Sequence, residues 1–234
     1  MARDGFKAIF FDLDGTLVDI HGPLYIASRR ALEDLGHTPA LTQELYWEAI
    51  SQNNLLLRLP ENLRRDFTQL AFAYFVAEID ATERMEVLPH VADTLGEVKR
   101  RGYTTGVITS RPGDPKVLVE KLAMVGLAAH LDHVVTQETA SLRALDKTAS
   151  LIETARRAEV PAEQCLYVGD EPRDVMAARN ASYGAAIAVA TGPAPYDHLC
   201  NHPEFRPDVV MRSMSELLPV VKHLEDGLGG GVEN

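Results

Sequence analysis

Asp12 and Asp14 close the run Ala-Ile-Phe-Phe-Asp-Leu-Asp-Gly-Thr at residues 8–16. An apolar stretch this short reads as a buried strand, and the Gly-Thr behind it marks where the strand must turn. Alternation along a strand puts Asp12 and Asp14 on one face, where the carboxylates repel each other unless a cation or a proton relieves them. That is a reactive arrangement rather than a packing one. Taken alone, an Asp-x-Asp also reads as a solvated acidic exit from a strand.

Three further places put chemistry-bearing residues at the ends of apolar runs. Val107-Ile108-Thr109-Ser110-Arg111 ends in hydroxyls, and a hydroxyl beside backbone N–H groups opening toward a helix can bond a phosphoryl oxygen. A turn or cap role also suits Thr109. Leu166-Tyr167-Val168-Gly169-Asp170 breaks at glycine into acidic residues, with Asp174 about one helical turn beyond. Oxygen-rich clusters of this kind favour a hard cation such as Mg²⁺, although Asp174 also suits the first turn of a helix. Lys147 precedes that strand, near the start of a helix. Alone it reads as a solvated surface residue, whereas inside an acidic site it would help neutralise a nucleophile and an incoming phosphate.

The elements that must position these residues alternate short apolar strands with amphipathic helices, which predicts an α/β protein with a mostly parallel sheet covered on both faces. Strands are expected at 8–12, 104–109, 133–136, 165–168, 185–189 and 208–211, and helices near 90–100, 116–125, 147–158, 174–180 and 215–224. The helix near 90–100 reads as begun by Pro89 and ended by Gly102. Residues 20–86 show helical periodicity without a strand, with helices at 23–35, 42–56 and 61–79. A crossover needs only about a dozen residues, so this stretch reads as an insertion over the carboxyl ends of the strands, where open α/β sheets bind ligands. The expected organisation is a discontinuous core at 1–19 and 87–226, a helical cap at 20–86 hinged near 18–22 and 87–89, and a mobile tail at 227–234.

The 234 residues carry a net charge of −11, which works against binding to nucleic acid or an anionic membrane. Cys165 and Cys200 lie in unlike contexts and suggest no disulfide framework. The chain begins without a basic-then-apolar leader and has no run of membrane-spanning length, so a cytoplasmic protein is expected.

With these four sites in this order, the sequence resembles the haloacid dehalogenase superfamily, in its phosphoglycolate-phosphatase-like branch with a helical cap after the first motif. The resemblance spans about residues 6–192. Asp12 to Thr16 match the first motif, Thr109 or Ser110 the second, Lys147 the third, and Gly169-Asp170 through Asp174 the fourth. It implies a Rossmann-like three-layer core and a Mg²⁺-dependent phosphatase in which Asp12 attacks phosphorus and is transiently phosphorylated. Asp14 would protonate the leaving alcohol and then take a proton from water. Mg²⁺ would be held by Asp12, the backbone carbonyl of Asp14 and Asp170, with Asp174 in support. Thr109 and Lys147 would bind the transferring oxygens, and Gly15, Ser110, Arg111 and His21 would contribute to substrate binding. Lys147 is followed by Thr-Ala-Ser where many relatives have Pro-x-Pro, which makes Arg143 the fallback cation.

A dehalogenase has little use for Asp14 or a metal, since halide leaves without a proton. A phosphonatase needs a cap lysine, and residues 20–86 contain none. A phosphomutase keeps the same aspartates, and a catalytically silent binding module keeps the fold, so both remain alternatives. The expected partner is a small phosphorylated metabolite, with the chain a monomer or homodimer. In the cap, Tyr46, Trp47, Gln52, Asn53 and Asn54 could face a substrate and Arg58, Arg64 and Arg65 could meet an anion, but the stronger reading packs Trp47 between cap helices and leaves the arginines on a solvated face.

Overall fold

The computed structural model describes residues 5–37, 42–81, 85–137 and 146–229. Arg143 and residues 230–234 of the expected tail lie outside the described residues. The six strands are β1 (Ala8–Phe11), β2 (Thr104–Pro112), β3 (His133–Gln137), β4 (Cys165–Gly169), β5 (Ala185–Val189) and β6 (Val209–Met211). They form one sheet in the order β3-β2-β1-β4-β5-β6, and every pairing is parallel.

Both faces of the sheet are covered, which is why β1, β4 and β5 are buried at every position rather than at alternate ones. Ile9 and Phe11 of β1 belong to one core with Leu95 of α4 (Val91–Arg100), Leu122 of α5 (Pro115–Met124) and Val221 of α9 (Leu217–Gly229). Ala8 and Phe10 face the other core, with Leu151 of α6 (Thr148–Arg157) and Val175 of α7 (Pro172–Asn180). The expected strands and core helices are all present, displaced by a few residues at their ends. One expectation fails: Pro89 does not open α4. His90 caps it with φ of 67°, a left-handed conformation that interrupts the helical path, so Val91 is the first helical residue. Gly102, with φ of +85°, follows the other end as expected. A short helix, α8 (Tyr196–Asn201), is not legible in the sequence, since only Leu199 of it is buried and six residues carry almost no period.

Between β1 and α4 the insertion holds α1 (His21–Asp34), α2 (Gln43–Ser51) and α3 (Glu61–Ala81). It has a small core of its own around Ala31, Leu32, Leu59 and Phe67. The segments leading into and out of it run side by side. The Asp19 N–H donates to the Glu86 carbonyl at 2.8 Å and the Leu88 N–H to the Leu17 carbonyl at 3.0 Å.

The strand order reverses direction about the β1–β4 pair, so the chain departs to opposite sides beyond these two strands and leaves a crevice at their carboxyl ends. Phe11 is in register with Val168, and the Asp12 N–H donates to the Val168 carbonyl at 2.8 Å. Asp12 and Asp170, remote in sequence, therefore leave the sheet side by side.

Candidate active site

Asp12, Asp170 and Asp174 each offer a carboxylate oxygen within 4.8 Å of the others, and all three are buried. Register brings the first two together; the third comes from the first turn of α7, where its Oδ2 accepts the Glu171 N–H at 3.1 Å in a capping box. Lys147, at the N-cap of α6, lies between two of them. Its Nζ is 2.7 Å from Asp12 Oδ1 and 2.7 Å from Asp174 Oδ1, with only 3% of the lysine side chain exposed. The sequence alone leaves Lys147 as a surface candidate, and the structure buries it in the acidic cluster.

Three carboxylates facing one ammonium leave negative charge uncompensated in a buried place, and the titration of Asp12, Asp170 and Lys147 reflects it. Burial raises the Asp12 carboxyl to about 7 against the pull of Lys147, with Asp174 and Asp14 adding to the rise. Asp170 is pushed well above the ordinary carboxylate range, first by burial and then by Glu171, Asp12 and Asp174. Burial would lower Lys147, yet Asp12 and Asp174 together hold it well above the usual lysine value. A proton or a further cation would relieve the cluster's excess of negative charge.

Asp170 shows where that cation fits. Its Oδ1 accepts the Thr16 hydroxyl at 3.1 Å, while Oδ2 is buried with no hydrogen-bond partner. A Cβ placed on Gly15 or Gly192 would collide with that same carboxylate. Gly15 also has φ of +82°, so glycine serves there both the turn and the clearance. Thr191 ties the two glycine segments together, its hydroxyl donating to the Gly15 carbonyl at 2.6 Å. An orphaned buried acceptor, an all-oxygen donor set and side-chain-free walls suit a small divalent ion. Asp12, Asp170 and Asp174 lie close enough to share such an ion, with both Asp174 oxygens also engaged, by Lys147 and by the Glu171 N–H.

Asp14 lies apart from this trio. The Arg111 guanidinium grips it with two bonds, Nε to Oδ2 at 2.9 Å and the NH2 nitrogen to Oδ1 at 2.6 Å, and Thr109 Oγ1 donates to Oδ2 at 3.4 Å. Sequence alternation was expected to set Asp12 and Asp14 on one strand face, but β1 ends at Phe11 and Asp14 already belongs to the turn, paired with Val18. Arg111, expected on the substrate side, lines the cavity and also holds Asp14. Ser110 Oγ is buried without a partner.

A cavity of about 260 Å³ between core and insertion is lined by Asp12, Asp14, Thr109, Ser110, Arg111 and Lys147 below and by residues of α1 and α3 above. His21 does not line it. The His21 ring is 2.5 Å from Asp19 Oδ1, edge-on to Trp47, beside a separate cleft reaching Gly192. Nor do the polar cap residues: Arg58 bonds Glu48, Gln52 and Asn54 on an exposed face, and Asn53 bonds His198. Two contributors escaped the sequence reading: the apolar wall of α3, whose residues read simply as cap core, and Arg173, which lines the cavity and pairs with Glu171 at 2.5 Å. Charge beside the fourth motif was the signal for Arg173; nothing in the sequence singled out Gly192.

The haloacid dehalogenase-like hydrolase family model matches residues 6–182. The phosphoglycolate phosphatase of Vibrio parahaemolyticus is 31% identical, over 94% of this chain and 98% of its own length. Phosphoglycolate phosphatase 1 of Pseudomonas aeruginosa is 29% identical over 91% of this chain and 79% of its own length. Among solved structures, a predicted phosphoglycolate phosphatase from Haemophilus somnus superposes with a TM-score of 0.63 at 21% identity, covering 92% of this chain and 97% of that one. CbbY from Rhodobacter sphaeroides, in complex with xylulose 1,5-bisphosphate, gives 0.58 at 20% identity over 91% and 96%. These likenesses to solved structures concern the fold.

Proposed function

Since the chain belongs to the haloacid dehalogenase-like hydrolases, as a phosphoric monoester hydrolase of the phosphoglycolate-phosphatase-like branch, we propose that it hydrolyses a small phosphomonoester through an aspartyl-phosphate on Asp12, with Mg²⁺. The observation that carries this reading is the meeting of Asp12, Asp170 and Asp174 around Lys147 with one Asp170 oxygen left free.

Asp12 attacks phosphorus in line; the bond to the ester oxygen breaks, and the departing alkoxide takes a proton from Asp14. Water then attacks phosphorus, returns a proton to Asp14, and leaves Asp12 as a carboxylate beside free phosphate. Asp12, Asp170 and the Asp14 carbonyl would hold Mg²⁺, which would supply the positive charge that lets an anionic nucleophile approach a phosphate dianion. Lys147 fixes the Asp12 oxygen it holds and faces the transferring oxygens. Arg111 orients Asp14 toward the ester oxygen, and the free Ser110 hydroxyl donates to the phosphoryl group alongside Thr109. The unit at 20–86 closes over the core at 1–19 and 87–226 and excludes water from the reacting centre, turning about its paired necks near 18–22 and 87–89.

The test is phosphate release from p-nitrophenyl phosphate with and without Mg²⁺, together with acid trapping of phosphorylated protein. Wild type turns over only with the metal and yields a hydroxylamine-sensitive acyl phosphate; Asp12→Asn does neither. Phosphate transfer to a sugar phosphate without release would make the chain a mutase, and silence across a broad panel would make it a binding module.

A further inference from the structure

The chemistry of the cavity's two halves differs sharply, and the difference bears on the leaving group. The wall above the catalytic residues comes from Ile20, Leu24, Phe72, Phe75, Val76 and Ile79. Its two hydroxyls are already satisfied within the insertion: Ser28 donates to the Tyr46 hydroxyl at 3.4 Å and Thr68 to the Arg64 carbonyl at 2.8 Å. No charged side chain of the insertion lines this cavity among the described residues. Of the insertion's described arginines, Arg29 pairs with Glu33, Arg30 with Glu78 and Arg58 with Glu48, Arg64 donates to the Leu59 carbonyl, and neither these nor Arg65 line the cavity. The cations that reach the cavity rise from the core, and each holds an acid: Arg111 with Asp14, Lys147 with Asp12 and Asp174, Arg173 with Glu171.

A substrate whose alcohol portion carries a carboxylate, as phosphoglycolate does, would bury that charge against Phe72 and Phe75 with no counter-ion of its own, which is unfavourable. An uncharged alkyl or aryl group gains there from the same surface. Space permits it: an apolar cavity of about 150 Å³ accommodates benzene, and about 260 Å³ is present here.

We propose that the chain selects phosphomonoesters with an uncharged, apolar leaving group of about one aromatic ring, with Phe72 and Phe75 as the specificity-determining residues. This deepens, and rests on, the reading of the site as a phosphatase centred on Asp12.

The test measures binding apart from turnover. Phenylphosphonate and phosphonoacetate are titrated calorimetrically into wild-type protein with Mg²⁺, and phenyl phosphate is compared with phosphoglycolate as substrate. Phenylphosphonate binds at least about tenfold tighter, with a negative heat-capacity change, and phenyl phosphate has the higher kcat/KM by a similar factor. Phe72→Arg, which adds a cation to the wall, narrows or reverses both ratios, whereas Phe72→Leu keeps their order. Equal or tighter binding of phosphonoacetate by wild type, or preferred hydrolysis of phosphoglycolate, overturns the proposal while leaving an Asp12-dependent phosphatase standing. Failure of every phosphate ester to turn over, with neither phosphonate bound, removes the phosphatase reading and this inference with it.

Discussion

The rim of the sheet and the face of the insertion enclose one cavity and are built on opposite principles. At the rim, charged groups are buried and cross-linked: Lys147 spans Asp12 and Asp174, and Arg111 grips Asp14. On the insertion, charged groups point outward and bond one another on exposed surface, as in the Arg58, Glu48, Gln52 and Asn54 cluster, while apolar side chains face inward. A preorganised charged rim suits charge that develops during reaction, and the apolar face opposite it suits the uncharged leaving group proposed above. Burying charge demands a rigid scaffold, which the parallel sheet supplies; the insertion, with its small core, is the part suited to movement.

The strongest blow to this comparison is at Asp12, the proposed nucleophile. Asp12→Asn is expected to lower turnover by at least about 10⁴-fold, in line with the loss of a catalytic nucleophile, while leaving amide exchange in the insertion unchanged. Lys147→Met follows. It leaves Asp12 and Asp174 buried without their cation, and a loss of about 3–5 kcal/mol in stability is expected with a fall of about 10²–10³-fold in kcat. Chemical denaturation beside steady-state assay checks both; retained stability would mean the lysine is not holding the cluster together.

Metal addition sharpens the account of the rim. Saturating Mg²⁺ should raise the melting temperature, with about 2.7 kcal/mol available at roughly 100 times Kd. Asp170→Asn and Gly192→Ala should each abolish the rise, the first by removing a ligand and the second by setting a methyl group against Asp170. In the insertion, Phe67 is 4% exposed, and Phe67→Ala should cost about 3–5 kcal/mol there. Hydrogen exchange should show α1 and α3 opening while β1 and β4 stay protected. Spread of the loss into the sheet would show that the two regions unfold as one.

The smallest effect concerns the thiols. Burial raises Cys165 to about 12, so at pH 8 it stays a thiol and should resist iodoacetamide, while half-buried Cys200 is alkylated. The folded value lies above the unfolded one, so its contribution to stability is present below pH of about 8.5 and is lost as pH rises toward the folded value.

What the sequence determined by itself was local. Apolar runs bounded by glycine gave the strands to within a few residues, because a strand buried on both faces must be apolar throughout and glycine must break it. The residue types at the strand ends, Asp12, Thr109 and Asp170, declared oxygen chemistry for the same reason: nothing in packing calls for acids and hydroxyls there. The length of 20–86 exposed the insertion, since no single crossover needs so many residues.

Only the tertiary structure decided which of these groups share a charge. Lys147 looks like any surface lysine until α6 delivers it between Asp12 and Asp174, and Arg111 looks like a substrate ligand until β2 carries it to Asp14. The apolar role of Phe72 and Phe75 likewise depends on which side of α3 meets the core. Strand register and helix packing set these distances, and because electrostatic interaction depends on separation and on the exclusion of water, neither residue type nor spacing along the chain can supply them.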